Sequence, residues 1–239
     1  MYWDERVGAA RFVVSDRLGG VSTAPYDELD LARHVGDDDA AVTVNRGRFA
    51  HQLDVDPADV VYIDQVHGAT VLEVTGPNNG PPPAADAMVT RTPGLALAIL
   101  VADCVPVLLV DSTAGVAAVA HAGRKGMLAG IARAAAEAMV RLGATDIVAR
   151  LGPSVCPRCY PVPLELREQA AQVHPETRSV DRFGAPSIDV AAGVLAQLAP
   201  LCSQVQQLAG CTAEDPSLYS YRREGVTGRF AGAVVLQAA

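Results

Sequence analysis

The stretch GLALAILVADCVPVLLV, residues 94–110, is the longest apolar run in the chain. Asp103 and Pro106 interrupt it, and it is shorter than the roughly 20 apolar residues that a membrane-spanning helix needs. Its two halves, Leu95–Val101 and Val105–Asp111, are typical of strands that are buried on both faces of a sheet. The run therefore predicts two core strands joined by a turn at Asp103.

Strands and helices alternate on both sides of this run. The carboxylates of residues 37–39 predict the start of a helix that runs to about Leu53, because acidic side chains there accept free amide protons. Gly143 ends a second predicted helix, Gly126–Leu142, and proline, glycine and asparagine predict a loop over Gly76–Ala84. The other predicted elements are strands at Arg11–Ser15, Val60–Ile63, Thr70–Val74, Ala87–Thr90, Val116–His121, Ile147–Leu151, Val205–Leu208, Leu218–Tyr221 and Arg229–Leu236, and helices at Leu164–Val173 and Asp189–Leu198.

No change in composition marks a domain boundary, and no repeat of fixed period occurs along the chain. Alternating strands and helices are typical of mixed α/β architectures. We therefore expect a single compact α/β (α+β) domain with a mixed sheet over residues 1–239.

The composition restricts the classes of partner. Half of the 239 residues are hydrophobic and 19% are charged, a balance that excludes a disordered chain, a collagen-like repeat and a coiled coil. The formal net charge of −8 makes a nucleic-acid groove or an anionic membrane surface a poor expectation. The segment MYWDER, residues 1–6, is charged where a signal peptide would have its apolar core, and the five cysteines are an odd number. We expect a reduced, cytoplasmic protein that acts on small molecules; the oligomeric state stays open.

His67, Cys104 and His121 each lie at the edge of a predicted strand, in a turn-like context. Two imidazoles and a thiolate suit zinc, and three protein ligands leave a fourth position for water, as in catalytic zinc sites. Two alternatives use the same residues without a metal. One is a buried cysteine with two hydrogen-bonded histidines, and the other is a nucleophile and base formed by Cys104 and His121.

The segment HAGRKG, residues 121–126, lies between a predicted strand and a predicted helix. Glycines permit a tight turn, and the amides at a helix start favour an anion. Arg124 and Lys125, the only lysine in the chain, would add two cations to such an anion site. The glycine spacing matches neither a Walker loop nor the dinucleotide fingerprint. The alternative is an ordinary turn whose basic side chains point into solvent.

Cys156 and Cys159 have the spacing of a redox pair or of half a zinc knuckle. Tyr160 and a proline follow directly, so the pair does not begin a helix as redox pairs do. Cys202 and Cys211 are far from each other in sequence and form no second close pair. The sequence therefore favours a structural turn here.

Three arginines, Arg222, Arg223 and Arg229, lie between the last two predicted strands. They could face a phosphate, or they could form ion pairs with core carboxylates such as Asp86 or Asp103. Structural ion pairs are the commoner outcome.

Ten short motifs occur together along nearly the whole chain, and they resemble those of the polyphenol oxidoreductase, or laccase-domain, family, described as broad-specificity purine nucleoside phosphorylases. The motifs are Gly19–Ser22, Val35–Asp37, Asn45–Arg46, Gln65–Gly68, Ala102–Pro106, His121–Gly123, Leu151–Ser154, Cys159–Tyr160, Ser220–Arg223 and Thr227–Arg229.

The resemblance implies a single α/β domain with a zinc ion held by two histidines and a cysteine, at positions that match His67, Cys104 and His121. These three would also be the catalytic residues. Implied activities are phosphorolysis of adenosine, inosine, guanosine and methylthioadenosine, and deamination of adenosine. An older assignment is polyphenol oxidation with copper, and one branch is implicated in peptidoglycan precursor editing.

Further expectations concern the substrates and the alternatives. Ser22, Arg46, Arg124 and Lys125 are the expected substrate or phosphate-binding residues. One alternative is a cysteine hydrolase or amidase that uses Cys104 and His121; others are a copper-dependent polyphenol oxidase and a non-catalytic metal-dependent partner protein.

Two departures from the family pattern affect the expected phosphate site. The usual His-Ala-Gly-Trp-Arg-Gly is here HAGRKG, so Arg124 replaces the tryptophan and Lys125 replaces the arginine. A forked guanidinium contact to phosphate would thereby become a point-charge contact. The usual Tyr-Glu-Val contains Pro161 in place of the glutamate, which removes a carboxylate.

Overall fold

Two mixed β-sheets form the centre of the computed structural model, which describes residues 1–78 and 80–237. The strands are β1 (Trp3–Val7), β2 (Ala10–Val14), β3 (Val60–Val61), β4 (Val71–Glu73), β5 (Ala87–Thr90), β6 (Ala96–Val101), β7 (Val105–Asp111), β8 (Val116–Ala122), β9 (Val148–Leu151), β10 (Arg178–Val180), β11 (Pro186–Ile188), β12 (Gln204–Gln207) and β13 (Phe230–Leu236). The helices are α1 (Asp39–Leu53), α2 (Arg124–Leu128), α3 (Ile131–Arg141), α4 (Leu164–Val173), α5 (Val190–Leu198) and α6 (Tyr221–Glu224).

The first sheet has the order β1-β2-β13-β6-β3 and the second has the order β12-β9-β7-β8-β5-β4. Both combine parallel and antiparallel pairs: β3 is parallel to β6, and β9 to β12, whereas β13 and β8 pair antiparallel to their neighbours. The sequence predicts a mixed sheet. The structure divides the predicted strands between two large mixed sheets and contains, in addition, a short β10–β11 hairpin.

The two large sheets pack against each other, and this contact explains the apolar run at residues 94–110. Phe12 and Ile99 of the first sheet share one buried cluster with Leu108 and Val119 of the second. Because successive side chains of a strand point to opposite faces, the neighbours of Leu108 point away from this interface. Helices cover those outer faces, so the strands are buried on both sides.

The outer layers complete the core. Val107 on the far face of the second sheet packs in one cluster with Ile131 of α3 and Val194 of α5. Phe49 of α1 packs with Ala98 on the far face of the first sheet. The layers therefore run helix, sheet, sheet, helix, which confirms the expected α/β fold as a single compact domain.

Helix α1 confirms the helix predicted to start at residues 37–39. Asp38 is its N-cap and accepts the amide proton of Ala41, and Asp54 ends it in the left-handed conformation, with φ of 59°. The packing of its buried face, which includes Phe49 and Leu53, contributes more to the stability of this helix than the helix propensity of its residues does.

Two predictions of elements are wrong. The predicted helix Gly126–Leu142 is divided into α2 and α3, because Gly130 has a φ of +83° that no helix interior tolerates. The predicted strand Leu218–Tyr221 is instead a buried, irregular segment up to Ser220 followed by the exposed first residue of α6, because Ser220 caps α6 by accepting the amide proton of Arg223.

Strand β1 and the β10–β11 hairpin are absent from the predictions. Strand β1 pairs with β2 over the turn at Gly8, from Trp3 opposite Val14 to Val7 opposite Ala10. Its side chains are only partly buried, so its sequence has no continuous apolar signal. Among the described residues, no helix has the length and apolar character that crossing a bilayer requires.

Candidate metal centre

The β7–β8 hairpin brings Cys104 and His121 together. In its antiparallel register Pro106 lies opposite His121, so Cys104, just before β7, lies beside the end of β8. His67 reaches the same place from the loop before β4, where its backbone has a φ of +62°. The ligand atoms of the three side chains all lie within 4.8 Å of one another.

Asp86 orients two of these three residues. Its Oδ1 accepts hydrogen bonds from the His67 amide and from His121 Nδ1, both at 2.9 Å, and its Oδ2 accepts the Gly68 amide at 2.6 Å. Burial opposes ionisation of Asp86, but the bonds from His121, Gly68 and His67 outweigh it and lower the pKa of the carboxyl. Because Nδ1 of His121 is held by this carboxylate, Nε2 is the nitrogen left for the centre.

From the sequence, Asp86 was expected only as a possible ion-pair partner of an arginine, and this role was missed. The one local signal is its place directly before a buried strand and after a proline-rich loop. Its contacts to His67 and His121 depend on strand pairing and have no sequence motif.

The electrostatics of the cluster favour a bound cation. Burial alone would raise the pKa of the Cys104 thiol, but the imidazoles of His121 and His67 outweigh it and lower that pKa to about 6. Burial alone would lower the pKa of His121, but Cys104 and Asp86 outweigh it and raise that pKa to about 9. A thiolate and two imidazoles within reach of one another fit zinc or another thiophilic metal.

Gly123 leaves room for the cluster. A Cβ atom at this position would lie 2.9 Å from Cys104 Sγ and 3.0 Å from His67 Cδ2. Any larger residue would therefore push the Cys104 and His67 side chains apart, which explains the glycine of the His-Ala-Gly motif.

A cavity of about 610 Å³ opens on the cluster. This volume is within the range of about 300–1,000 Å³ that is typical of small-ligand sites. Tyr160 and three arginines, Arg124, Arg222 and Arg229, line it together with the cluster residues. The cavity therefore combines an aromatic surface, a cationic wall and the side chains of a candidate metal site.

Asp103 holds one wall of the cavity in place. With a φ of +96°, it accepts hydrogen bonds from the hydroxyls of Thr212 and Ser220 and from the Arg222 amide, each at 2.6 Å. The Arg222 guanidinium lies 4.9 Å from the centre of the Tyr160 ring. Left-handed backbone at a non-glycine residue is costly and concentrates at functional sites.

The sequence suggested that Arg222, Arg223 and Arg229 could form ion pairs with Asp86 or Asp103. In the structure they do not. Both carboxylates are engaged by imidazole, hydroxyl or amide donors. Arg223 pairs instead with Glu224, and Arg229 donates to backbone carbonyls.

The four expected substrate residues lie in different places. Arg124 lines the cavity, whereas Lys125 is exposed on α2 and is not part of the lining. Arg46 stacks 3.9 Å from the centre of the Tyr62 ring and lines a smaller cavity of about 220 Å³. Ser22 is buried and donates to Asp37 at 2.6 Å. Only Arg124 of the four is therefore beside the His67, Cys104 and His121 cluster.

Comparison with known proteins places the chain in a family. The family described as multi-copper polyphenol oxidoreductase laccase matches residues 11–237. A purine nucleoside phosphorylase of Streptomyces coelicolor is 52% identical over 236 residues, which cover 97% of this chain and 98% of the relative. A purine nucleoside phosphorylase of Escherichia coli K12 is 35% identical over 243 residues, which cover 98% of this chain and 96% of the relative.

The crystal structure of YlmD from Geobacillus stearothermophilus superposes with a TM-score of 0.86 at 30% identity and 99% coverage of each chain. With this agreement over almost its full length, the chain belongs to the multi-copper polyphenol oxidoreductase laccase family.

Proposed function

We propose that this chain is a zinc-dependent purine nucleoside phosphorylase that cleaves adenosine, inosine, guanosine and methylthioadenosine and also deaminates adenosine. The observation that carries the proposal is the cluster of His67, Cys104 and His121 at a cavity of about 610 Å³ that three arginines line. The names of the similar proteins from Streptomyces coelicolor and Escherichia coli support the phosphorylase activity.

His67, Cys104 and His121 are the residues that would hold the metal, and Asp86 would keep His121 oriented. When bound, zinc supplies a Lewis acid and lowers the pKa of a coordinated water to about 7. The same donor set also suits copper, which the family description names, so metal analysis is part of the test.

Phosphorolysis would use the cationic wall of the cavity. Arg124, Arg222 and Arg229 come from three separate segments and would hold phosphate beside the ribose. A phosphate oxygen forms a bond to C1′ while the bond from C1′ to the purine nitrogen breaks, and the purine leaves with the electron pair and takes up a proton. The products are ribose 1-phosphate and the free base. A phosphate dianion next to the cation-like ribose lowers the barrier electrostatically.

Adenosine deamination replaces the amino group by an oxygen from water and releases ammonia. It uses the nucleoside but no phosphate. The two reactions can therefore be separated in one preparation by omitting phosphate.

A second candidate is a cysteine hydrolase or amidase, for example one acting on a peptidoglycan precursor. It is favoured by the direct interaction of Cys104 with His121, which supplies a thiolate and a proton carrier without a metal. Metal at the His67, Cys104 and His121 cluster, measured as the metal that Cys104→Ala loses, separates this candidate from the phosphorylase.

The test measures metal content by mass spectrometry and then assays inosine and adenosine with and without phosphate. We expect zinc, phosphate-dependent release of base from inosine, and phosphate-independent release of ammonia from adenosine. Cys104→Ala should lose the metal of the His67, Cys104 and His121 cluster and both activities while unfolding at nearly the same temperature. Cys202→Ala is the matched control, because Cys202 follows α5, packs against the core and is not among the residues that line the cavity.

Full nucleoside turnover by the Cys104→Ala protein would rule out both the metal enzyme and the cysteine hydrolase. Loss of turnover by this variant without any loss of bound metal would favour the hydrolase. Oxidation of phenols only by the copper-loaded protein would favour the polyphenol oxidase.

A further inference from the structure

A second group of metal-binding side chains lies outside the candidate metal centre. Cys156 and Cys159 bracket the 3-10 turn that follows β9, and Cys211 and Glu214 belong to the turn that follows β12. One ligand atom from each of these four side chains lies within 4.8 Å of all the others. All three cysteines are free, and Cys159 and Cys211 are each only 8% exposed.

Parallel pairing of β9 with β12 explains why residues 55 positions apart meet. Parallel strands leave the sheet at the same edge, so the segments that follow them run side by side. Ser154 forms a bridge with Cys211, and the Cys156 amide donates to Cys211 Sγ at 3.3 Å. The sequence contains no second close pair of cysteines and therefore favoured a structural turn; the fold brings Cys211 to the Cys156–Cys159 pair.

The polar side chains around the sulfurs distinguish this group from a small apolar cluster. Cys159 Sγ lies 3.5 Å from Glu214 Oε1, and the Arg182 guanidinium contacts both Cys159 Sγ and Glu214, the latter at 3.0 Å. Three thiolates and a carboxylate around a divalent cation carry a net negative charge, which a guanidinium offsets. Apolar packing alone gives no reason for a glutamate and an arginine to point at buried sulfur.

We propose that Cys156, Cys159, Cys211 and Glu214 bind a structural zinc ion. Two cysteines separated by two residues and a third cysteine from a distant segment form a common zinc pattern, and four protein ligands leave no position open for a substrate. The site joins residues 154–160 to residues 211–214.

This position gives the second zinc a defined role. Val155 and Tyr160 line the cavity, and Thr212 donates to Asp103 in its wall. The ion would therefore fix one wall of the cavity while taking no part in the chemistry. This inference does not depend on the proposed nucleoside activity.

The experiment counts zinc in protein purified under reducing conditions and dialysed against metal-free buffer. We expect about two zinc ions per chain in the unsubstituted protein, about one in Cys104→Ala, about one in Cys211→Ser, and about two in the control Cys202→Ser. A Cys104→Ala protein with no zinc would overturn the proposal, as would an unchanged zinc content in Cys211→Ser.

Cobalt titration of the Cys104→Ala protein tests the site without removing any of its ligands. One equivalent of cobalt should produce an intense near-ultraviolet thiolate charge-transfer band, and Glu214→Gln in the same background should weaken cobalt binding. Chelation should lower the melting temperature of Cys104→Ala. Absence of the band, or an intact mass lower by two hydrogen atoms that indicates a disulfide among these cysteines, would contradict the proposal.

Discussion

At the scale of a single residue, Asp86 positions both the backbone at His67 and the imidazole of His121 in the candidate metal centre. Its carboxylate holds the His67 and Gly68 amides and the His121 imidazole at the same time. Carboxylates that hold a ligating histidine set the nitrogen it offers and its orientation, and losing them typically costs about 10–100-fold in metal affinity.

We expect Asp86→Asn to lower the affinity for zinc by about 10–100-fold, because an amide both weakens the bond to His121 and favours the wrong tautomer. The measurement is competition with a chelator of known affinity. Asp111→Asn is the control: Asp111 is also a buried carboxylate at a strand end and accepts four amide protons, but it lies away from the cluster. Equal losses of zinc in the two variants would show a general loss of folding rather than a specific role of Asp86.

Arg124 and Lys125 are adjacent in sequence but differ in exposure to the cavity. Arg124→Ala should raise the KM for phosphate by about 10–100-fold, the cost of one charge-assisted hydrogen bond. Lys125→Ala should raise the KM for phosphate less than Arg124→Ala does. Lys125→Arg should have a KM for phosphate at or below that of the unsubstituted protein, because a guanidinium keeps the charge and adds a second contact. Steady-state inosine cleavage over a range of phosphate concentrations measures both, with adenosine deamination as the phosphate-independent reference. A larger effect at Lys125 than at Arg124 would place the phosphate at the turn rather than in the cavity.

At the scale of elements, glycine decides where one helix ends and the next begins. Gly130 separates α2 from α3 at a φ of +83°, and no atom of the described residues lies within 4 Å of the position of a Cβ. Gly47 lies in the middle of α1 and also has free space around its Cβ position. The same substitution therefore tests the backbone alone at both sites.

We expect Gly130→Ala to reduce the free energy of unfolding by about 1 kcal/mol, because the left-handed backbone conformation is unfavourable for alanine. Gly47→Ala should increase it by about 0.5–1 kcal/mol, because alanine favours the helix. Urea unfolding of both variants measures the difference. The same sign of change in both would contradict the division of the predicted helix at Gly130.

At the scale of the whole molecule, Asp30 connects the N-terminal loop to the C-terminal strand. It accepts the amide protons of Ala32 and Arg229, and its carbonyl accepts a bond from Asn45 of α1. Burial raises its pKa to about 6 in spite of the amide bonds, and Asp37 raises it further. The folded protein therefore keeps a proton on Asp30 at pH values where the unfolded chain has lost it.

This difference predicts a stability that falls as pH rises from about 4 to about 6, by on the order of 2–3 kcal/mol at most. Asp30→Asn should remove that decrease. Between pH 4 and 6 the free energy of unfolding should therefore fall for the unsubstituted protein and stay more nearly constant for the variant. Asp111→Asn is a control of opposite sign. Hydrogen bonds to four amides outweigh the effect of burial and lower the pKa of Asp111, so its contribution is lost as pH falls. Urea unfolding between pH 4 and 7 measures both, and parallel curves for Asp30→Asn and the unsubstituted protein would contradict the assignment.

The sequence by itself determined most of the local elements and indicated the candidate metal ligands. Strands such as those at residues 95–111 and the start of α1 at Asp38 follow from apolar runs and capping, which are interactions between near neighbours. His67, Cys104 and His121 could be proposed because strand edges and their family motifs mark them. Their convergence required the β7–β8 register and Asp86.

Tertiary structure alone decided how distant segments combine. It divided the strands between two sheets, because each strand's apolar run shows that both faces are covered but not by which partner. It placed Cys211 beside Cys156 through the parallel β9–β12 pair, and Arg222 beside Arg124 in one cavity. These contacts depend on pairings between residues far apart in the chain, whose free energy comes from burial and register in the assembled core and leaves no periodic signal in the local sequence.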